Sequence, residues 1–248
     1  MNVRIAVPEG GPLFDGHFPG TPILPGVAEL IMIAGALVPG GPSLLTGVRH
    51  VRFRGLVRPG DELDLVAPDG STRFELRRRG EPIARGELDF HGQEALADEA
   101  MTASARPVPD APPMDALVPH RLPMRLVERF VGEAENGAIC LARIREGCGF
   151  AQGAAAPAIA MLEAAAQTAA AWEALRRSRA AGDREPRIGY LVSARDVVLG
   201  RATVPVDTAL QTTVRLDAHA PPLSHYVVSV AVHGKIALQG TIGTYLAT

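Results

Sequence analysis

The sequence predicts an α+β fold built twice in tandem, each unit a central helix wrapped by an antiparallel sheet. Three observations predict it. The first is a break in composition: residues 92–114 read GQEALADEAMTASARPVPDAPPM, rich in Ala, Pro and small polar residues. Pro107, Pro109, Pro112 and Pro113 would break any helix begun upstream, so this stretch is expected to be a linker, semi-extended at its proline end. It separates residues 1–91 from residues 115–248, both of allowed domain size. The second is that both units run in the same order: a Gly/Pro- or Gly/Ala-rich loop, one helix, then strands. The third is the character of the first helix. Val27-Ala28-Glu29-Leu30-Ile31-Met32-Ile33-Ala34 is apolar nearly all round and is expected to be buried on every side, as inside a curved sheet.

In the first unit, the loop Gly10 to Pro25 leads into a helix expected over Gly26 to Val38. Strand patterns follow at Gly47 to Val57, Glu62 to Ala67, Thr72 to Arg78 and Ile83 to Phe90. Pro59-Gly60-Asp61 is a turn, because Pro presets φ and Gly admits a positive one. In the second unit, a short segment, Val118 to Val131, precedes a strand at Gly137 to Ile144 and a loop at Gly147 to Ala156. A long Ala-rich helix is expected over Pro157 to Arg179, then strands at Ile188 to Leu199, Ala209 to Leu216, Tyr226 to Val232 and Ile236 to Leu246.

Composition narrows the function. The 248 residues hold 25 Lys+Arg and 27 Asp+Glu, a net charge of −2, which argues against a general nucleic-acid binder. The longest apolar run, Ile23 to Val38, contains Pro25, Gly26, Glu29 and Gly35 and is too short for a membrane span. The N-terminus lacks signal-peptide anatomy, so a cytoplasmic protein is expected. Cys140 and Cys148 are too few for a disulfide framework and lack metal-ligand spacing to a histidine; they read as ordinary reduced thiols. There is no glycine motif for a nucleotide or dinucleotide, and no cofactor or metal is expected.

His17-Phe18-Pro19-Gly20-Thr21-Pro22-Ile23-Leu24-Pro25-Gly26-Val27 resembles the signature of the hot-dog-fold β-hydroxyacyl thioester dehydratases of fatty acid synthesis. Val51 to Asp61 (VRFRGLVRPGD) resembles the strand and turn after the helix in that family. Pro119-His120-Arg121-Leu122-Pro123-Met124 resembles its N-terminal segment, and Leu162-Glu163-Ala164-Ala165-Ala166-Gln167 its catalytic helix. Pro22 to Leu30 and Arg187-Ile188-Gly189-Tyr190-Leu191 are similar in particular to the dehydratase pairs of aryl polyene and xanthomonadin-type pigment pathways. The resemblance implies a double hot-dog fold acting on a 3-hydroxyacyl thioester, with an acidic acyl carrier protein as partner.

In that family a histidine before the helix is followed fourteen positions later by an acidic residue. Fourteen positions after His17 stands Ile31; fourteen before Glu163 stands Gly149. Phe150 follows Gly149 as Phe18 follows His17, and Pro157 stands where Pro25 stands. Each unit has therefore lost one catalytic residue, and the losses are complementary. Because the family builds its sites between two units, the resemblance implies one composite site, His17 with Glu163, and one decayed site, Gly149 with Ile31. The units then form a pseudo-dimer within one chain; whether two chains pair further stays open.

Removing the weakly acidic C2 proton of such a thioester needs a base and a stabilised enolate oxygen. His17 is the expected base and Glu163 the acid that protonates the leaving hydroxyl, kept protonated by burial. The unpaired Gly26 N–H at the helix start is the expected donor to the thioester carbonyl. Phe18, Pro25, Gln167 and Tyr190 are expected around the substrate, Gln167 because it shares a helix face with Glu163, Tyr190 as a gate of the kind some family members carry. His50, His91, His120, His219, His225 and His233 enter no constellation in the sequence. Arg49, Arg52, Arg54 and Arg58 make a basic stretch that could dock an acidic carrier or simply face solvent. Arg176, Arg177, Arg179 and Arg184 suit a helix C-terminus. A thioesterase, a coenzyme A hydratase and an inactive partner protein are the alternatives; the His17 motif disfavours the first, and the complementary losses disfavour the last.

Overall fold

A computed structural model describes residues 1–90, 96, 106–108, 110–181 and 185–247. Most of the expected linker, together with His91 and Arg184, lies outside the described residues.

The first unit opens with strand β1 (Asn2–Ala6), then helix α1 (Gly26–Leu37), a four-residue helix α2 (Gly41–Leu44), and strands β2 (Gly47–Phe53), β3 (Glu62–Val66), β4 (Arg73–Arg78) and β5 (Glu81–Asp89). The second contains β6 (Val127–Ala134), β7 (Gly137–Ala142), a short β8 (Ala155–Pro157), helix α3 (Met161–Ala181), β9 (Gly189–Leu199), a short β10 (Thr203–Pro205), β11 (Leu210–Ala220), β12 (Leu223–Val232) and β13 (Lys235–Leu246). β1 and β6 go beyond the strands expected from the pattern. Both sit at the two edges of the sheet, where only part of each strand is buried and the apolar signal is correspondingly weak.

Eleven strands form one antiparallel sheet in the order β1-β3-β4-β5-β2-β9-β13-β12-β11-β7-β6. The units join through β2 and β9, where Gly47 stands opposite Val198 and Arg52 opposite Ser193. The hairpins turn where the chain accepts positive φ: Arg79 and Gly80 (51° and 85°) link β4 to β5, and His233 and Gly234 (50° and 77°) link β12 to β13.

The helices lie against this sheet. α1 starts at Pro25, whose fixed φ of −56° is suited to helix entry, and buries Val27, Ala28, Leu30, Ile33 and Ala34. It is not buried on every side as its composition suggests: Ile31 and Met32 are half-buried and Gly35 is exposed. α3 begins after a 3₁₀ turn at Ala158–Ala160 and packs on β7, β11 and β12. Its alanines explain the fit. Ala164, Ala165, Ala169 and Ala171 are almost wholly buried, and small side chains let the strands come close. The 3₁₀ turn before α3 touches α1, and the loops before the two helices meet, with Gly149 against the Pro12 and Leu13 backbone.

Candidate active site

His17 sits in the loop before α1, and that loop closes on itself. The His17 carbonyl accepts from Ile23 N–H at 3.2 Å, while Nδ1 of its ring lies 2.9 Å from the Ile23 carbonyl. A carbonyl can only accept, so Nδ1 carries the proton and Nε2 is left with a free lone pair. The Phe18 ring stacks on His17 with centroids 4.2 Å apart. The peptide bond between the two is cis.

The loop is also tied to the second unit. Gly16 O accepts from Arg121 N–H at 2.9 Å, and a Cβ on Gly16 would stand 2.1 Å from the Arg121 carbonyl oxygen. Only glycine, at φ 87°, permits this approach. The contact sets His17 beside His120, with ring centroids 5.1 Å apart.

Glu163 lies in the first turn of α3 and is 4% exposed. Its Oε1 stands 4.0 Å from His17 Nε2 and 3.5 Å from His120 Nε2. Gln167, one turn further and fully buried, donates through Nε2 to this oxygen at 3.0 Å and to Met124 O at 2.8 Å. Its own Oε1 accepts from Leu126 N–H at 2.8 Å. Gln167 therefore fixes Glu163 and caps the 124–126 segment at once.

His120 belongs to the site although its sequence reading gave it no constellation. The signal was present in the Pro119-His120-Arg121 motif, but only folding brings it across to Glu163. Burial, with any charge on His17 and the charge on Arg121 adding to it, holds the His120 imidazole well below the usual histidine range, so it is neutral. Its Nδ1 is buried without a hydrogen-bond partner. The ring nitrogens of His17 and His120 and a Glu163 oxygen lie within 4.8 Å of one another, a spacing a divalent cation could bridge.

His17, Phe18, Gly26, His120, Glu163, Gln167 and Tyr190 line one cavity of about 490 Å³. Tyr190 is half-buried on β9, its ring edge-on to Phe18 with centroids 6.4 Å apart. Pro25 is buried at the entry of α1, between the lining residues Leu24 and Gly26, and is not itself part of the cavity lining. Of the basic stretch after α1, Arg54 reaches the cavity wall, while Arg49 pairs with Asp89 at 2.8 Å. Cys140 and Cys148 are buried and unpaired, and burial pushes their thiols up to about 12 and about 11.

The equivalent positions in the other half cannot form a second such site. Ile31 and Gly149 replace the acid and the histidine. A Cβ at Gly149 would meet Pro12 O at 2.5 Å and Leu13 Cα at 2.7 Å, so a side chain there is excluded by backbone. The first amide of α1, on Gly26, has no acceptor within the helix. Its counterpart, Ala158 N–H, already donates to Ala202 O at 2.9 Å.

Two units fused through one sheet, each with its helix against it, define a double hot-dog protein. Known dehydratases share that architecture. A dehydratase domain from the curacin polyketide synthase superposes with a TM-score of 0.70 over all of this chain and 93% of its own, at 11% identity. The dehydratase heterocomplex ApeI:P from Xenorhabdus doucetiae covers 55% of this chain and 92% of its own, with a TM-score of 0.50 and 19% identity. The ApeP-like family model (ApeP dehydratase) matches residues 112–248, and the ApeI-like model (ApeI dehydratase) matches residues 1–87. The 3-hydroxyacyl-(acyl-carrier-protein) dehydratase FabZ of Roseiflexus sp. (strain RS-1) is 37% identical over 103 residues, 38% of this chain and 68% of that protein. FabZ of Deinococcus radiodurans is 34% identical over the same shares. The chain belongs to the ApeP-like dehydratase family. No described helix is long and apolar enough to cross a membrane.

Proposed function

We propose that the chain dehydrates a 3-hydroxyacyl thioester, carried on acyl carrier protein, to the trans-2-enoyl thioester at one composite site made by His17 and Glu163. The observation that carries this is the pair itself: His17 Nε2 faces Glu163 Oε1 across 4.0 Å in a cavity that the two units build together. The separation is too long for a direct hydrogen bond and short enough for one water or substrate group beside it to reach both atoms.

The geometry supports an ordered set of roles. The hydrogen bond from Nδ1 to Ile23 O leaves Nε2 of His17 to take the C2 proton. Charge developing on the thioester oxygen is met by the Gly26 N–H. The C3–O bond breaks as a C2–C3 double bond forms, and the protonated Glu163 carboxyl gives its proton to the departing hydroxyl, which leaves as water. The proton held by His17 then returns to Glu163 across the short gap, and the site is reset. Gln167 keeps the acid's Oε1 turned inward. A neutral His120 places a polar group 3.5 Å from Glu163 Oε1 without placing a positive charge there.

Residues 1–91 and 115–248 act in this reading as a fused pair, neither with a complete site alone, and 92–114 as the connection. An acidic carrier protein fits Arg54 and Arg187 on the cavity wall and the exposed Arg52 nearby. The relatives named as carrier-protein dehydratases support it. Two buried, unpaired thiols suit a reducing, cytoplasmic setting.

The test is turnover of a 3-hydroxyacyl carrier-protein thioester by the wild type, His17→Ala and Glu163→Gln. Each change is expected to lower kcat by at least about a hundredfold with the fold intact. Wild-type turnover that survives both changes would place the chemistry elsewhere.

A further inference from the structure

One ionisable side chain in the cavity wall has no part in the dehydration described above. Glu29 lies one turn into α1 and lines the same cavity as His17 and Glu163. It is 4% exposed, and its Oε2 is buried without a hydrogen-bond partner. Arg78, whose charge acts on it, is engaged elsewhere: its Nη1 donates to Leu56 O and to Asp61 Oδ2, each at 2.8 Å. Burial holds the Glu29 carboxyl well above the usual carboxylate range, and the Arg78 charge opposes this by less.

Packing does not explain this residue. The position equivalent to Glu29 in the second unit is Met161, which is wholly buried. There an apolar side chain fills the start of the helix. Nor is Glu29 a displaced copy of the catalytic acid. That equivalent position is Ile31, and residues two apart on a helix point in nearly opposite directions. Glu29 instead shares its helix face with Gly26, three residues earlier, and its side chain leans back toward that end of the helix. A carboxyl that lacks a protein partner normally costs enough free energy to be lost from a buried wall. It lines the cavity together with Gly26, the expected thioester-carbonyl donor.

We propose that Glu29 forms a polar subsite in the cavity wall, where its buried, unpartnered carboxyl takes a hydrogen-bonding group of the thioester: a hydroxyl or carbonyl on the acyl chain, or an amide of the pantetheine arm. This rests on the dehydratase reading of the cavity. A protonated carboxyl donates through its O–H and accepts through its C=O, so it matches a group that can do both. An unsubstituted alkyl chain on that wall would leave the carboxyl unpaired, and the site would discriminate against it.

The experiment compares kcat/KM of wild type, Glu29→Leu and Glu29→Gln. The substrates are 3-hydroxyacyl thioesters with plain alkyl tails and with hydroxylated tails, on carrier protein and on the truncated N-acetylcysteamine thiol. If the acyl group fills the subsite, wild type favours hydroxylated tails by about tenfold or more on both carriers. Glu29→Leu then removes the preference and Glu29→Gln keeps part of it. If the pantetheine arm fills it, tails are not distinguished, and Glu29→Leu loses about tenfold more on carrier protein than on the truncated thiol. A Glu29→Leu change that scales every substrate by one factor overturns the subsite. Glu29→Met, copying Met161, replaces Glu29→Leu if the latter does not fold. Dissociation constants of unreactive acyl-pantetheine thioethers, by calorimetry, give the same contrasts without turnover. A wild type that turns over nothing would therefore end the dehydratase reading and still leave the subsite judged by binding.

Discussion

Replacing Gln167 by Leu removes a side chain that ties Glu163, the acid of the proposed site, to the second unit's core. Gln167 is fully buried and makes close bonds to Leu126 N–H, Met124 O and Glu163 Oε1 at 2.8, 2.8 and 3.0 Å, with a longer one to Val127 N–H at 3.4 Å. Leucine is of similar volume, so the cost comes from polarity rather than from a cavity. Each buried group left unpaired costs about 1–3 kcal/mol. Three such groups, less the gain from a more apolar side chain, give a net loss of about 3–5 kcal/mol. At about 2–4 °C per kcal/mol for a chain of this size, the melting midpoint should fall by about 6–20 °C. Because Glu163 loses the donor that orients it, kcat should fall as well, by about tenfold or more. Gln167→Glu separates the two effects. It keeps the acceptor for Leu126 N–H but sets an oxygen against Met124 O and Glu163 Oε1, so its stability should recover toward acid pH, where that oxygen can carry a proton. Calorimetry and steady-state turnover on the same preparations read both quantities. A Gln167→Leu protein that melts within about 3 °C of wild type and keeps its kcat would refute the role assigned to this network.

Four further outcomes are expected. Gly149→Ala should destabilise by about 2 kcal/mol or more, because the added carbon meets Pro12 and Leu13 backbone below 3.0 Å. For the same reason, Gly149→His with Ile31→Glu in a His17→Ala background should restore no turnover. Glu29→Met should raise stability at pH 7 by about 1–3 kcal/mol, since it removes an unpaired buried carboxyl. Glu29 holds its proton more tightly folded than unfolded, so wild-type stability relative to that variant should fall as pH rises from 4.5, which melting curves across pH would show. His120 is neutral when folded and takes up a proton more readily when unfolded. Its contribution is therefore present above pH 6.5 and lost as pH falls below it, and His120→Asn should flatten that part of the profile.

Much about this protein is determined by local chemistry and is therefore written in the sequence. Pro25 before an apolar run, Gly after a positive-φ residue in a hairpin, and the alternation of β2 to β5 depend on neighbours a few positions away. Repetition carried the rest of the architecture. Set against the spacing that the family resemblance implies, Ile31 after His17 and Gly149 before Glu163 are the two departures on which the proposal of complementary units rests. What local pattern does not encode is which surfaces meet. His120 reaches Glu163 only because the glycine at position 16 lets the Arg121 backbone approach the loop of the other unit. The Ala158 amide is removed as a donor by a carbonyl forty-four residues on, at Ala202. Glu29 looks in sequence like one acid on an apolar helix, and it becomes a cavity wall only when the sheet closes over it. Hydrogen-bond pairing and desolvation act through space, so a polar residue's consequence is set by tertiary packing even where its backbone conformation is already legible.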